Sequence, residues 1–279
     1  MNDRRKVLLI ILVILLVVAL GVGGGWFAWY WTSGNVTLPV YRGTHPTTTT
    51  ATSTTAPADP QTPSGSDTSS PDDTTTSTTV PLVDNPVDFK TLQATNPDIY
   101  AWLYVPGTMV DYPVACASDQ ADGFYLDHNI YREYEYAGTI YSEKKNGTEM
   151  LHRNTVMYGH NMMNNTMFGS LHDFEDEEFF NAHDVMYVYT PGHIYTYKIF
   201  AAYEYDNRHL LNSFDFYNDE VWAEYLAYAT NPQTMTVNTR DVPVTIQDRI
   251  LTLSTCVGWN KNVRYLVQGV LIDDQPTRT

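Results

Sequence analysis

The chain has 279 residues, with 32 acidic against 16 basic side chains and a formal net charge of −16 at pH 7. That balance argues against nucleic acid or an anionic lipid surface as a partner. Two cysteines in so long a chain exclude a disulfide-dense scaffold.

The N-terminal third is uneven. Residues 1–6, expected to be cytoplasmic, end in Arg4, Arg5 and Lys6, and residues 7–31 form an uncharged apolar run. Such a run can span a bilayer with some tilt. Basic residues before it and the cluster Trp26, Phe27, Trp29, Tyr30 and Trp31 at its end predict a single-pass anchor, N-terminus in the cytoplasm. Ala19-Leu20-Gly21 resembles the cleavage site of a signal peptide, but the apolar run continues to Trp31, beyond an ordinary signal core. The reading is therefore a membrane-anchored protein with its remainder outside the cell. Residues 32–82 are expected to be a disordered stalk, rich in Thr, Ser and Pro between Thr44 and Val80. About 50 residues of such chain span on the order of 40 Å.

From Val83 to Thr279 the composition is globular, rich in Tyr, Trp, Val and Ile, and long enough for one well-buried domain. Asn96-Pro97 reads as a helix start, and short helical stretches are expected around Phe89, Leu92, Ile99 and Trp102. "VPGTMVDYPV" then reads as turn and strand. The β-rich runs "GTIYSE", "NTVMYGH", "VMYVYT", "IYTYKIFAAYEY", "VTIQDRILTLSTC" and "RYLVQGVLI" follow, separated by polar or Gly/Pro turns. Their spacing favours a mostly antiparallel barrel or sandwich over a parallel α/β sheet. One helix interrupts them: in "NDEVWAEYLAYATNP", Trp222, Tyr225, Leu226 and Ala229 recur at helical spacing, Asn218 or Asp219 caps the start, and Pro232 ends it.

Chemistry gathers at the last two runs. In "ILTLSTC" alternation puts Leu251 and Leu253 on one face and Thr252, Ser254 and Cys256 on the other. After the seven-residue loop "VGWNKNV", Arg264 opens the next strand. If the two strands form a hairpin, the guanidinium can stabilise a thiolate, or the oxyanion formed when that thiolate attacks a carbonyl. Spacing alone equally allows a surface ion pair. His160 ends an apolar strand beside Gly159, a position where a glycine lets a ligand approach; it fits a proton carrier for a cysteine nucleophile, or a hydrogen-bonded turn residue. Cys116 lies far from Cys256 in sequence and fits a buried, incidental thiol, although spacing cannot exclude pairing.

Taken together, "YGHNM", then "TLSTC", then an arginine opening the next strand resembles the sortase transpeptidases. "NPDIYAWLYVPGTMVDYPV", "FYLDHNIYREYEYAGTIY" and "NTVMYGHNMMNNTMFGSLHDF" resemble class B sortases, as does the helix inserted before the cysteine strand, over about residues 86–273. The resemblance implies a closed eight-stranded β-barrel with N-terminal helices. It also implies Cys256 as nucleophile, His160 as general acid and Arg264 as substrate clamp and oxyanion stabiliser, with no metal or cofactor. Ser254, Thr255, Tyr158 and Asn161 would contact substrate, and the loop after Cys256 would form one wall of the groove. The implied activity is cleavage of a C-terminal sorting signal after threonine through a thioester. Transfer to an amine of the peptidoglycan cross-bridge, or of a pilin, would follow, the substrates being surface proteins that bear the signal. Within the chain, "NPQT" at residues 231–234 matches a motif that some class B enzymes read, but here it ends a predicted helix. Rival readings are a stalked binding module without catalysis, a cysteine peptidase and an L,D-transpeptidase. A binding module has no use for the thiol. Papain-like peptidases place cysteine before histidine, and the Leu-Ser-Thr before Cys256 departs from the Ser-x-Gly-Cys of the L,D-transpeptidases.

Overall fold

The structure, a computed structural model, describes residues 82–258 and 260–278. The expected anchor over residues 7–31, and the stalk up to residue 81, lie outside the described residues. No helix among the described residues is long and apolar enough to cross a membrane.

Ten strands are described: β1 (Val83–Asp84), β2 (Ile99–Tyr104), β3 (Asp111–Ala115), β4 (Ile140–Ser142), β5 (Asn154–Tyr158), β6 (Val185–Thr190), β7 (His193–Asp206), β8 (Val237–Thr239), β9 (Ile250–Val257) and β10 (Asn260–Arg278). Four α-helices accompany them: α1 (Phe89–Thr95), α2 (Glu177–Ala182), α3 (Leu210–Ser213) and α4 (Asp219–Ala229). Neighbouring strands run in the order β10, β9, β5, β4, β3, β2, β6, β7, and β7 pairs back onto β10. The eight strands therefore close into the expected barrel, which leaves no exposed edge within the ring. β1 and β8 attach outside that ring, on β10 and β7.

Alternation decides what faces the interior. Leu251, Leu253, Met157, Tyr265 and Val267 point inward into one buried cluster. Val156, Ile250, Leu266 and Val270 point outward, where α4 covers them with Trp222, Tyr225, Leu226 and Ala229. Asn218 caps α4 by accepting hydrogen bonds from the backbone N–H groups of Glu220 and Val221. Between helix and barrel runs a buried polar chain. The Gln268 amide donates to Tyr225 Oη and to Thr252 Oγ1, each at 2.8 Å, and accepts from Tyr203 Oη at 2.9 Å. Thr252 in turn donates to Asn154 Oδ1 at 2.7 Å. Gln268 and Thr252 are cross-strand partners, so these bonds also fix the register between β9 and β10. The "NPQT" segment lies in the turn after α4, with Pro232 buried and Asn231 and Gln233 exposed.

Three local expectations change. Asn96 closes a helix rather than opening one: its N–H bonds to the Leu92 carbonyl as the C-cap of α1, the single α-helix before β2 among the described residues. Ile99 and Trp102 belong to the buried β2, which pairs on both sides with β3 and β6, so that its continuous apolar run serves a strand rather than a helix. The seven-residue loop after Cys256 is a tight hairpin. Val257 pairs with Asn260, Gly258 takes φ of +44°, and a bulge between Asn260 and Arg264 absorbs the remaining residues.

Candidate active site

The parallel pair β5/β9 and the antiparallel pair β9/β10 bring the three candidate residues to one end of the barrel. Tyr158 pairs with Ser254, and the Gly159 N–H continues the ladder to the Ser254 carbonyl at 3.3 Å. His160 follows two residues after Tyr158 and lines the same cleft as Cys256. On the other side of β9, Arg264 is the direct cross-strand partner of Cys256. His160, Cys256 and Arg264 together line a cleft of about 250 Å³, with Tyr141, Tyr158, Ser254 and Thr255 in its floor and walls. The Asn207–Leu210 segment, leading into α3, forms the far wall, and His209 Nε2 meets Glu143 Oε1 across the cleft at 2.6 Å.

His160 is half-buried, and burial holds its imidazole below the ordinary histidine range against the opposing pull of the Leu126 carbonyl and the Asp127 carboxylate. Its ring stacks on Tyr136 with ring centroids 5.2 Å apart, and the Leu126 backbone lies close enough to oppose the effect of burial. Both partners lie on the 124–136 segment, which is itself pinned. Arg132 bonds to the buried Asp98 carboxylate at 3.2 Å and also to Asp119, while Tyr125 Oη donates to Asp98 at 2.8 Å. Burial pushes the Asp98 carboxyl up, but hydrogen bonds from Ser118 and Tyr125 and the charge of Arg132 outweigh it and hold the group below the usual carboxylate range.

Arg264 is held differently. Its Nη1 donates to the backbone carbonyls of Lys261 and Val263, at 3.0 and 3.1 Å, and no carboxylate pairs with it among the described residues. In a chain with 32 acidic residues, an arginine that faces a cleft without an acidic partner keeps its charge for an incoming anion.

The remaining predicted contacts divide. Ser254 lines the cleft. Tyr158 does so too, with its hydroxyl buried and lacking a hydrogen-bond partner among the described residues. Thr255 lines it with its hydroxyl turned to the Gly159 carbonyl at 2.9 Å. Asn161 is not among the lining residues: its amide donates to the backbone carbonyl of Cys256 at 2.9 Å and meets His172 Nε2 at 3.0 Å. Asn161 therefore holds the strand that carries the thiol. Gly159 lines the cleft as expected and has a second reason as well, since a Cβ there would come within 2.5 Å of Ile140 Cδ1 and 2.9 Å of Phe168. The glycine serves packing against the barrel interior. Cys116 is a free thiol, buried in the core, and burial pushes its pKa up; Cys256 is also free and half-exposed.

Leu126, Tyr136, Glu143 and His209 were not legible as site residues. Leu126 contributes a carbonyl, which any residue possesses, and the other three meet the site only through long-range packing.

Comparison with known proteins agrees with this fold. The sortase domain family matches residues 103–272. Sortase B of Listeria monocytogenes is 33% identical over 192 residues, covering 66% of this chain and 74% of that protein. The solved sortase B of Clostridium perfringens superposes with a TM-score of 0.60 at 35% identity, covering 67% of this chain and 100% of that one. A Staphylococcus aureus sortase B–substrate complex superposes with a TM-score of 0.59 at 30% identity, over 66% of this chain and 84% of that one.

Proposed function

Because the chain belongs to the sortase family, and within it to class B, we propose that Cys256, His160 and Arg264 carry out its cysteine transpeptidase reaction on a sorting signal. Cys256 passes its proton to His160, and its sulfur attacks the carbonyl carbon of the scissile bond, expected to follow a threonine. The charge that develops on the carbonyl oxygen falls beside the unpaired Arg264 guanidinium, which stabilises it. His160 then donates a proton to the leaving amine, the C–N bond breaks, and the acyl part remains on Cys256 as a thioester. Burial of the imidazole suits this step, because a depressed pKa makes the protonated ring a better acid toward the departing nitrogen. An acceptor amine attacks the thioester and loses a proton to His160, the C–S bond breaks, and His160 returns that proton to the departing Cys256 sulfur.

The single observation that carries this reading is the pairing of Cys256 directly opposite an arginine without an acidic partner, at the mouth of the cleft that also holds His160. The solved Staphylococcus aureus sortase B holds its substrate, and we extend a sorting-signal substrate to this chain by that likeness. We read the acceptor as an amine of the cell-wall cross-bridge or of a pilin. The anchor over residues 7–31 rests on sequence alone; it would hold the domain at the outer membrane face, where both substrates meet.

Cys256→Ala tests the assignment. Incubated with a library of threonine-containing signal peptides, the wild-type protein will gain the mass of an acyl group on Cys256, and the variant will gain none while keeping its circular dichroism spectrum. Undiminished cleavage by Cys256→Ala would end the transpeptidase reading.

A further inference from the structure

A second cavity, of about 240 Å³, adjoins the cysteine cleft on the side of the inserted helix. Tyr205 and Arg208 line both cavities, so the two share a wall. The remaining walls are largely aromatic, with Phe214 ahead of α4 and Tyr225 and Tyr228 on it. Tyr205 and Tyr228 meet at 5.8 Å between centroids and 65°, and Phe214 and Tyr225 at 5.1 Å and 62°, so the rings form a basin with faces turned in more than one direction.

The charge in this basin is one-sided. Arg208 Nε donates to both oxygens of Asp206, at 3.0 and 2.8 Å, and Nη2 adds a bond of 2.6 Å. Its charge is therefore neutralised within the wall. Glu224 also lines the cavity and is exposed, with no hydrogen bond or ion pair to its carboxylate among the described residues. What remains is one uncompensated negative charge in a cavity with aromatic walls, which is the recognition chemistry of a cation. Arg208 shows that these rings accept one, since its guanidinium lies 5.5 Å from the Tyr205 centroid and 5.9 Å from that of Phe214.

The register sets the distance to the thiol. Cys256 pairs with Arg264, and Arg264 pairs with Tyr205. Two strand spacings of about 4.8 Å put Tyr205 on the order of 10 Å from Cys256, which about three residues of extended chain cover.

We propose that this second cavity is a subsite for a basic side chain, lysine or arginine, borne by the substrate polypeptide about three residues from the scissile bond. The proposal rests on the transpeptidase reading of the cleft and deepens it, because it assigns part of the specificity to α4 rather than to the residues around the thiol.

The test uses the peptide core that forms the acyl-enzyme, carrying lysine, norleucine or glutamate singly at positions two to five on either side of the cleaved bond. For the wild-type protein, kcat/KM for cleavage will favour lysine over norleucine at one of these positions by about fivefold, and norleucine over glutamate. Glu224→Gln will bring the lysine-to-norleucine ratio close to one, and Tyr228→Leu will lower it. The ratio within each enzyme cancels any effect of the variant on folding or on chemistry at Cys256. An equal rate for lysine and norleucine at every position, with the core still cleaved, overturns the proposal and leaves the transpeptidase reading intact. So does a lysine preference that survives in Glu224→Gln, or one seen only when the basic group is placed on the acceptor amine. Failure to form an acyl-enzyme with any peptide instead removes the transpeptidase reading on which the subsite rests.

Discussion

On one side of Cys256 the imidazole of His160 is half-buried and stacked on the Tyr136 ring, against a segment tied down through Asp98 and Arg132. On the other side Arg264 is held, among the described residues, by two backbone carbonyls of its own hairpin. The difference follows from the tasks proposed for the two residues. A proton donor works only from one position and with a tuned acidity, so contacts that orient and desolvate it are useful. A guanidinium that must meet charge developing on a substrate loses strength to every carboxylate it already pairs with, so the absence of such a partner is useful.

The largest break in this comparison is Arg264→Ala. With its side chain gone, the oxyanion loses a charged donor, and kcat/KM for peptide cleavage will fall by the equivalent of about 3 kcal/mol, roughly a hundredfold or more. Thermal stability will change little, since the side chain makes no ion pair among the described residues. A near-normal rate would mean that Arg264 has been given the wrong part.

On the other flank, Asp98→Asn probes the support rather than the chemistry. Asp98 is buried and receives bonds from Ser118 N–H, Tyr125 Oη and Arg132. Replacing its charge will cost about 1–3 kcal/mol in denaturant unfolding at neutral pH. Because its folded-state pKa is depressed, the stabilisation is present above the unfolded value near 3.9 and lost as pH falls through the folded value. The variant will therefore show a flatter stability profile on the acid side, and an unchanged slope there would separate Asp98 from the acid response.

The smallest expected effect is the most direct reading of His160. Tyr136→Ala uncovers one face of the imidazole, and its titration followed by NMR will move up toward the ordinary value of 6.5. In the wild-type protein the depressed His160 pKa adds stability above about 6.5 that fades as pH falls through the folded value, because the unfolded chain takes up the proton first. The variant will narrow that window. A midpoint that stays in place would assign the shift to other neighbours.

Much of this site was readable before any coordinates. Alternation in "ILTLSTC" separated Leu251 and Leu253 from Ser254 and Cys256, and the hairpin that follows brought Arg264 opposite the thiol. Strand periodicity and hairpin pairing are local, so they leave a pattern in neighbouring residues. The inserted helix was legible for the same reason, in the spacing of Trp222, Tyr225, Leu226 and Ala229. Where local signals compete they can mislead. Asn96-Pro97 carries the residues of a helix start yet closes α1, because the run after it is buried on both sides by β3 and β6.

Residue type and short-range order were enough for seven of the eight barrel strands, β2 excepted, and for the thiol, the arginine opposite it and the histidine at the end of another strand. Long-range packing was needed to bring Tyr136 onto the His160 ring, to turn the Asn161 amide to the Cys256 carbonyl, and to set Glu224, without an ion pair among the described residues, in a cavity lined by tyrosines. These contacts join segments separated by long stretches of chain, and barrel closure brings them together. A backbone carbonyl, a ring face or a missing counter-charge leaves no mark on the residues next to it in sequence.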